Sequence, residues 1–367
     1  MVQSKQTFIF IPDISGFTRF VNQTAIDHSK HIISELLEVI IDSDDLGLTV
    51  SEVEGDAILF YKDQVPDVKE ILEQSEKTFI NFHNHLNRYE TERICRCGAC
   101  ETAARLSLKF IVHSGNIQPI NIKNFIKLHG PDVILAHRLL KNSIVQNEYV
   151  LFTDNFKNAL SDGSLAKQFS WIKLMEGADE PDTGDKIKYS YIPLQELFKF
   201  VKEPKKITIP ELSPRKLKLE VVINKSVDDI YDIFTNLNRK MEWEDTILDI
   251  IPQDDKINQA GSVHTCVIDQ GRLDIQALGR VEDEHQIIYA ERVDEFSIFK
   301  EIIRVYTFEK HNGHVHVKLD LEFKLKLGLL KLFRPIFKRI LLKQSQNNLQ
   351  KLKKFSEKNP GKSNQNE

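Results

Sequence analysis

Two aspartates stand at the ends of strand-like runs. The stretch Phe8-Ile-Phe-Ile-Pro-Asp13-Ile-Ser-Gly-Phe17 drives an apolar, β-favouring run into one carboxylate, and a Ser-Gly turn follows at once. The stretch Glu52-Val-Glu-Gly55-Asp56-Ala-Ile-Leu-Phe60 reads strand, tight turn, strand, with Asp56 at the tip. An aspartate after a strand is ordinarily a turn residue. With the first strand between these two, however, Asp13 and Asp56 come together, and neighbouring carboxylates repel unless a cation sits between them. Oxygen ligands suit a hard divalent ion, Mg²⁺ or Mn²⁺, above all when phosphates complete its shell. The carbonyl of Ile14 offers a further oxygen. The turn at Ser15, Gly16 and Phe17 opens a following helix and would leave free N–H groups for a polyphosphate.

A second set of chemistry-bearing residues is the cluster Cys95-Arg-Cys97-Gly-Ala-Cys100. Three thiolates within six residues can share one borderline ion. Zn²⁺ needs a fourth ligand, for which His83, His85 and Cys266 are candidates. Three reduced, unliganded thiols and an iron–sulfur centre are the alternatives.

Strands and helices must position these groups. Residues 7–11, 48–53, 57–61, 106–113 and 189–194 read as strands. Apolar spacing predicts helices over 27–41, 68–86 and 132–141. This rhythm argues for an α/β or α+β domain. Residues 201–214 hold three prolines and read as a linker. Beyond it comes a strand at 217–223 and a helix capped by Ser226, with Asp228 and Asp229 in its first turn. Strands follow at 247–251, 262–268, 273–279, 286–292, 299–309 and 314–326, then a closing helix over 329–354. One curved antiparallel sheet wrapped around one long helix is the simplest arrangement, and such a sheet often encloses an apolar cavity. The closing helix is apolar on one stripe and basic on the other. It reads either as a surface for membrane or partner or, preferably, as a helix gripping the sheet. His264, His311, His314 and His316 read as ordinary surface or packed histidines.

The N-terminal motifs resemble those of the class III nucleotidyl cyclases. FIPDISGFT is similar to their F-x-D-I-x-G-F-T, EVEGDAILF to their Gly-Asp-Ala hairpin, LSLKFIVHSG to a strand ending in His-x-Gly, and GPDVILAHRL to G-x-x-V-N-x-A-x-R-L. The four occur in the right order and span residues 5–195. The resemblance implies a ferredoxin-like fold, with Asp13 and Asp56 holding two metal ions over ATP or GTP. It implies that Arg138 neutralises the α-phosphate in a cyclisation giving a 3′,5′-cyclic nucleotide. It implies that Glu52 and Lys127 read the base. Ile134 stands where the family has an asparagine that orients the ribose. The family's sites lie between two such domains, so a head-to-tail homodimer is expected. Residues 217–354 resemble the helix-grip fold of the START-like, polyketide-cyclase-like superfamily, which implies an apolar small molecule or lipid as ligand.

The expectation is thus an α+β protein with a cyclase-like domain over 1–200, the linker, a helix-grip domain over 215–355 and a polar, disordered tail over 356–367. A chain of 367 residues, 41% hydrophobic and 28% charged with a net charge of -4, suits two globular domains and carries no nucleic-acid footprint. It has no run of membrane-spanning length and no cleavable leader, so the expected location is cytoplasmic. Two readings of function follow: a metal-dependent cyclase tuned by a C-terminal ligand, or a degenerate cyclase-like sensor. A carrier of hydrophobes with a dimerising N-terminal half is a third.

Overall fold

The structure is a computed structural model that describes residues 6–22, 26–96, 102–123, 125–161, 163–180, 186–252 and 259–359. Its compact units do not simply follow the chain. One comprises Met1–Asn87 with Thr102–Pro204, the other Arg88–Glu101 with Lys205–Glu367.

The first unit is built on a seven-stranded sheet. Its strands are β1 (Thr7–Ser15), β2 (Thr49–Glu54), β3 (Ala57–Lys62), β4 (Ser107–Gly115), β7 (Tyr149–Thr153), β8 (Met175–Asp179) and β9 (Ile187–Pro193), in the order β2-β3-β1-β4-β7-β9-β8. A two-stranded ribbon of β5 (Gln118–Ile122) and β6 (Phe125–His129) stands apart. Helices α1 (Phe17–Asn22) and α2 (Ile26–Asp42) link β1 to β2, and α3 (Val68–Thr91) follows β3. The order β2-β3-β1-β4, with β1 antiparallel to both neighbours, is the split βαβ core of a ferredoxin-like fold. Helix α4 (Pro131–Leu139) puts Val133, Ala136 and Leu139 into the same core as Ile9, Ile11, Leu59 and Ile111. The alternate positions carry Phe8, Phe10, Phe60 and Phe110, with the rings of Phe10 and Phe110 5.3 Å apart. A strand buried on both faces needs an unbroken apolar run, which accounts for Phe8-Ile-Phe-Ile11.

The second unit is one antiparallel sheet and a long helix. Strands β10 (Leu217–Ile223), β11 (Ile247–Pro252), β12 (Val263–Ile268), β13 (Gly271–Glu282), β14 (Gln286–Asp294), β15 (Phe299–His311) and β16 (His314–Leu325) pair in the order β10-β16-β15-β14-β13-β12-β11. Helices α5 (Val227–Thr235) and α6 (Leu237–Trp243) join β10 to β11. The Ser226 hydroxyl caps α5 by accepting from the Asp229 amide at 3.2 Å. Helix α7 (Arg334–Lys358) starts five residues later than expected, because Pro335 suits a helix's first turn and the preceding Gly328–Phe333 winds as 3₁₀. Its Leu341, Leu349 and Leu352 enter the core. The apolar stripe is not wholly gripped, however: Leu332, Ile336 and Ile340, at four-residue spacing, are at least half exposed. Residues from earlier in the chain complete this unit. Ile94 lies in its core, and the Tyr231 hydroxyl donates to the Ile94 carbonyl at 3.0 Å.

Candidate functional site

In the first unit Asp13 is held at the β1 end by pairing on both sides. It lies opposite Ala57 on β3 and Lys109 on β4, and is 8% exposed. The Ile14 amide donates to the Asp56 carbonyl at 3.0 Å, tying the strand end to the β2–β3 turn. Gly55 turns that corner with φ +64°, a conformation that favours glycine. The structure therefore brings Asp13 and Asp56 together. Burial pushes the Asp56 carboxyl above its ordinary range, and the neighbouring Asp13 charge pushes it the same way. Its own backbone amide and Lys109 pull partly against that.

Lys109 is the residue that sequence reasoning passed over. Its ammonium lies 2.9 Å from Asp13 Oδ2 and donates to the Leu140 carbonyl at 2.8 Å. One positive charge of the chain's own thus already answers the carboxylate pair. The signal was a lysine interrupting Leu108 and Phe110 in a buried strand, at the rung facing Asp13. Two acids with one lysine still leave net negative charge and spare oxygen donors, so the donor set fits a hard divalent ion.

Beyond Asp13 the chain turns at Gly16, φ +91°, and enters α1, where the Phe20 amide donates to the Gly16 carbonyl at 3.0 Å. Ser15 and Gly16 line a cleft with Arg19, Arg105 and Asn147, while Phe17 is half-buried at the start of α1 and Ile14 is fully buried.

The other predicted residues gather in a separate cleft, lined by Glu52, Glu54, Lys127, Ile134, His137 and Arg138 among others. Lys127 Nζ lies 3.4 Å from Glu52 Oε2. His137 Nδ1 lies 3.3 Å from Glu54 Oε2, and its Nε2 is 4.0 Å from Glu52 Oε1. Glu52 thus faces two basic groups, of which the sequence suggested Lys127 only. Arg138 is exposed, and Ile134 is 53% exposed. Asp13 and Asp56 are not among the described residues lining this cleft.

A buried network positions α4 and hence Arg138. His113, at the end of β4, bonds through Nδ1 to the Thr153 hydroxyl at 2.9 Å and through Nε2 to Asp132 Oδ1 at 3.0 Å. Asp132 also accepts from the Asn116 amide at 2.8 Å. Burial holds the His113 imidazole below its usual range, against the opposing pull of Asp132. A Cβ at Gly115 would collide with the Asp132 carboxylate, so the His-x-Gly pattern is the seat of α4.

The second unit holds a cavity of about 130 Å³ beside α7. Its lining is not purely apolar. Trp243, Ile247, Leu319 and Leu341 share it with Lys240, Glu291 and Arg304. Arg304 Nη1 lies 2.9 Å from Glu291 Oε1. Burial pushes the Glu291 carboxyl up, but Lys240 and Arg304 outweigh it and hold the group below its usual range. Arg304 was concealed between Ile303 and Val305 in an apolar strand, whereas Glu291 beside Arg292 and Lys240 beside Arg239 read as ordinary surface charges.

Of the cysteine cluster, Cys95 is half-buried, whereas Cys97 and Cys100 lie outside the described residues. The proposed fourth ligands are otherwise engaged. His83 Nε2 lies 2.7 Å from Glu148 Oε1, and His85 Nε2 lies 3.1 Å from Glu35 Oε2. Cys266 is wholly buried, and burial pushes its thiol up to about 11, which leaves it protonated and a poor ligand.

Comparison with known proteins adds ancestry. The family described as "Protein of unknown function (DUF2652)" matches residues 33–149. The "Uncharacterized protein Rv2561/Rv2562" of Mycobacterium tuberculosis is 30% identical over 151 residues, which are 41% of this chain and 71% of that protein. The chain belongs to the family of this mycobacterial protein. Solved structures with some likeness include the guanylate cyclase domain of RhGC from Catenaria anguillulae in complex with GTP. It is 16% identical, covers 52% of this chain and 96% of that one, and has a TM-score of 0.35. The adenylyl cyclase CyaB from P. aeruginosa is 13% identical over 51% of this chain and 93% of that one, with a TM-score of 0.36. The family match covers β2, β3, α3, β4 and α4, and so both Asp56 and the Glu52 cleft; Asp13 precedes it. Among the described residues no helix is long and apolar enough to cross a membrane.

Proposed function

We propose that the first unit is a nucleotidyl cyclase-like module that binds ATP or GTP with a divalent metal and forms a 3′,5′-cyclic nucleotide. The observation that carries the proposal is the meeting of Asp13 and Asp56 at the end of β1 in a ferredoxin-like core. A divalent cation there would offset triphosphate charge and acidify the ribose 3′-hydroxyl. The chain's own residues do the rest. The Ser15–Gly16 turn with Arg19 and Arg105 receives phosphate oxygens, and the exposed guanidinium of Arg138 offers a fork to the α-phosphate. Glu52 and Lys127 meet the base edge. Among the described residues Asp13 and Asp56 do not line the Arg138 cleft. A head-to-tail homodimer that sets one protomer's acids against its partner's cleft would complete two equivalent sites.

The second unit then acts as a regulatory helix-grip module of START-like type, with its ligand in the cavity beside α7. The charged lining calls for a molecule with a polar head as well as an apolar body.

A second reading, a nucleotide sensor without turnover, is favoured by two observations. Ile134 projects into the cleft where a ribose-orienting hydrogen-bond donor is expected, and Glu52 is answered by Lys127 and His137. The full chain is incubated with Mn²⁺ or Mg²⁺ and ATP or GTP, and cyclic nucleotide is measured by mass spectrometry. Nucleotide binding is measured in parallel. Product that disappears in Asp13→Ala and Asp56→Ala supports the cyclase. Metal-dependent binding without product selects the sensor, and absence of both overturns the two together.

A further inference from the structure

The tip of the β15–β16 hairpin carries a side-chain cluster that the nucleotide chemistry does not use. The strands run to His311 and His314 and are joined by Asn312 and Gly313, the latter at φ +80°. The register pairs His311 with His314 and Glu309 with His316. Side chains two residues apart on a strand share a face, and directly paired residues share it too. The ladder therefore sets Glu309, His311, His314 and His316 on one face of a two-stranded ribbon. The ring of His316 lies 4.3 Å from that of His311 and 5.3 Å from that of His314, centre to centre. Single ligand atoms of Glu309, His311 and His316 all lie within 4.8 Å of one another.

We propose that this face binds a borderline divalent transition-metal ion, Zn²⁺ being the type, through His311, His316 and Glu309, with His314 beside them as a further imidazole. Two imidazoles and a carboxylate are a donor set for Zn²⁺, with bond lengths of about 2.0–2.2 Å. Ligands at such distances stand no more than about 4 Å apart, which small χ rotations of these partly exposed side chains reach. Two details of the structure bear on the chemistry. His314 Nδ1 lies 3.2 Å from the Asn312 carbonyl; donating there leaves Nε2 with its lone pair, the form that ligates. Glu309 is also held through Oε1 by the Lys318 ammonium, while Oε2 lies 3.9 Å from His311 Nε2. Lys318 competes with a metal for this carboxylate. The carboxylate pair at Asp13 and Asp56 suits hard ions; this imidazole face suits softer ones, so the two sites select different metals.

The test is titration of the untagged full chain with Zn²⁺ by calorimetry, alongside His311→Ala/His316→Ala and Lys318→Ala. The double variant is expected to bind one equivalent fewer than wild type, and Lys318→Ala to bind this equivalent more tightly. Counting the difference separates this site from metal held by the cysteines. With Cu²⁺ as the probe, paramagnetic resonance of the wild type should show nitrogen couplings that the double variant loses. Unchanged stoichiometry in the double variant, with its circular dichroism unaltered, overturns the proposal. So does Zn²⁺ binding too weak to saturate at micromolar protein, which marks an adventitious surface contact only.

Discussion

At the residue scale, the decisive group is Lys109. The sequence made Asp13 and Asp56 legible because each ends an apolar run, where a charge stands out. Lys109 was harder to read, since its meaning depends on which residue faces it across a strand pair more than ninety positions away. Its ion pair with Asp13 is largely buried, at 15% and 12% side-chain exposure. Removing one partner of such a pair leaves a buried charge uncompensated, at a cost of about 3 kcal/mol. Lys109→Met should therefore lower the stability of the metal-free protein by that order in urea titrations. Mn²⁺ should recover part of the loss by binding the folded state alone. A variant as stable as wild type without metal would show that Lys109 is not the internal counter-ion. Asp56 gives a prediction of opposite sign. A carboxyl whose folded pKa is raised contributes stability that is full below its unfolded value, near 3.8, and is lost as pH rises through the folded value. At neutral pH the buried Asp56, beside the Asp13 charge, is a burden on the metal-free fold. Asp56→Asn should raise the melting temperature at pH 7, and the gain should shrink as pH falls toward 4. A gain independent of pH would assign the effect to packing instead.

At the scale of elements, burial decided what could be read. The buried strands β1, β3 and β4 announce themselves as apolar runs. Strand β8, Met-Glu-Gly-Ala-Asp179, lies at the sheet edge and lacks residues of high β-propensity, so it left no pattern to find. The β5–β6 ribbon escaped for a related reason, since Gln118-Pro-Ile-Asn-Ile122 carries a proline that argues against a strand. The His-x-Gly motif was visible, but its physical role was not. Gly115 is there because Asp132 occupies the space of a Cβ, and Asp132 in turn holds His113 and the Asn116 amide. Gly115→Ala should push Asp132 aside and loosen the start of α4, costing about 1–3 kcal/mol as overpacking does. It should weaken the proposed nucleotide binding at the Arg138 cleft while leaving the proposed Mn²⁺ binding at Asp13 and Asp56 unchanged. Equal loss of both would show that α4 also supports the acidic pair.

At the scale of the molecule, the two halves announced by the change from alternating strands and helices to a run of strands are only approximately the two units. Residues Arg88–Glu101 count with the C-terminal unit although the sequence places them early. Nothing local could reveal this, because it rests on contacts such as Ala260 amide to Glu92 carbonyl and Arg93 bridged to Gln259, more than 160 positions apart. Each unit has a core of its own, and a core truncation should act on the unit that contains it. Leu352→Ala, at a fully buried position on α7, should cost about 2–5 kcal/mol and shift one calorimetric transition. Leu72→Ala, fully buried on α3, should shift the other. His264 supplies an independent label for the second unit. Burial and Lys240 hold its imidazole down to about 4, against an ordinary 6.5. A depressed histidine lends stability that is present above the unfolded value and lost as pH falls toward the folded one. Between pH 6.5 and 4 His264 should cost the second unit about 3 kcal/mol, while the first unit's own acid loss comes from His113, likewise held below its usual range. His264→Gln should flatten that acid limb in the transition that Leu352→Ala moves. If both transitions move together in every variant, the two units unfold as one cooperative block, and a ligand in either would then stabilise both.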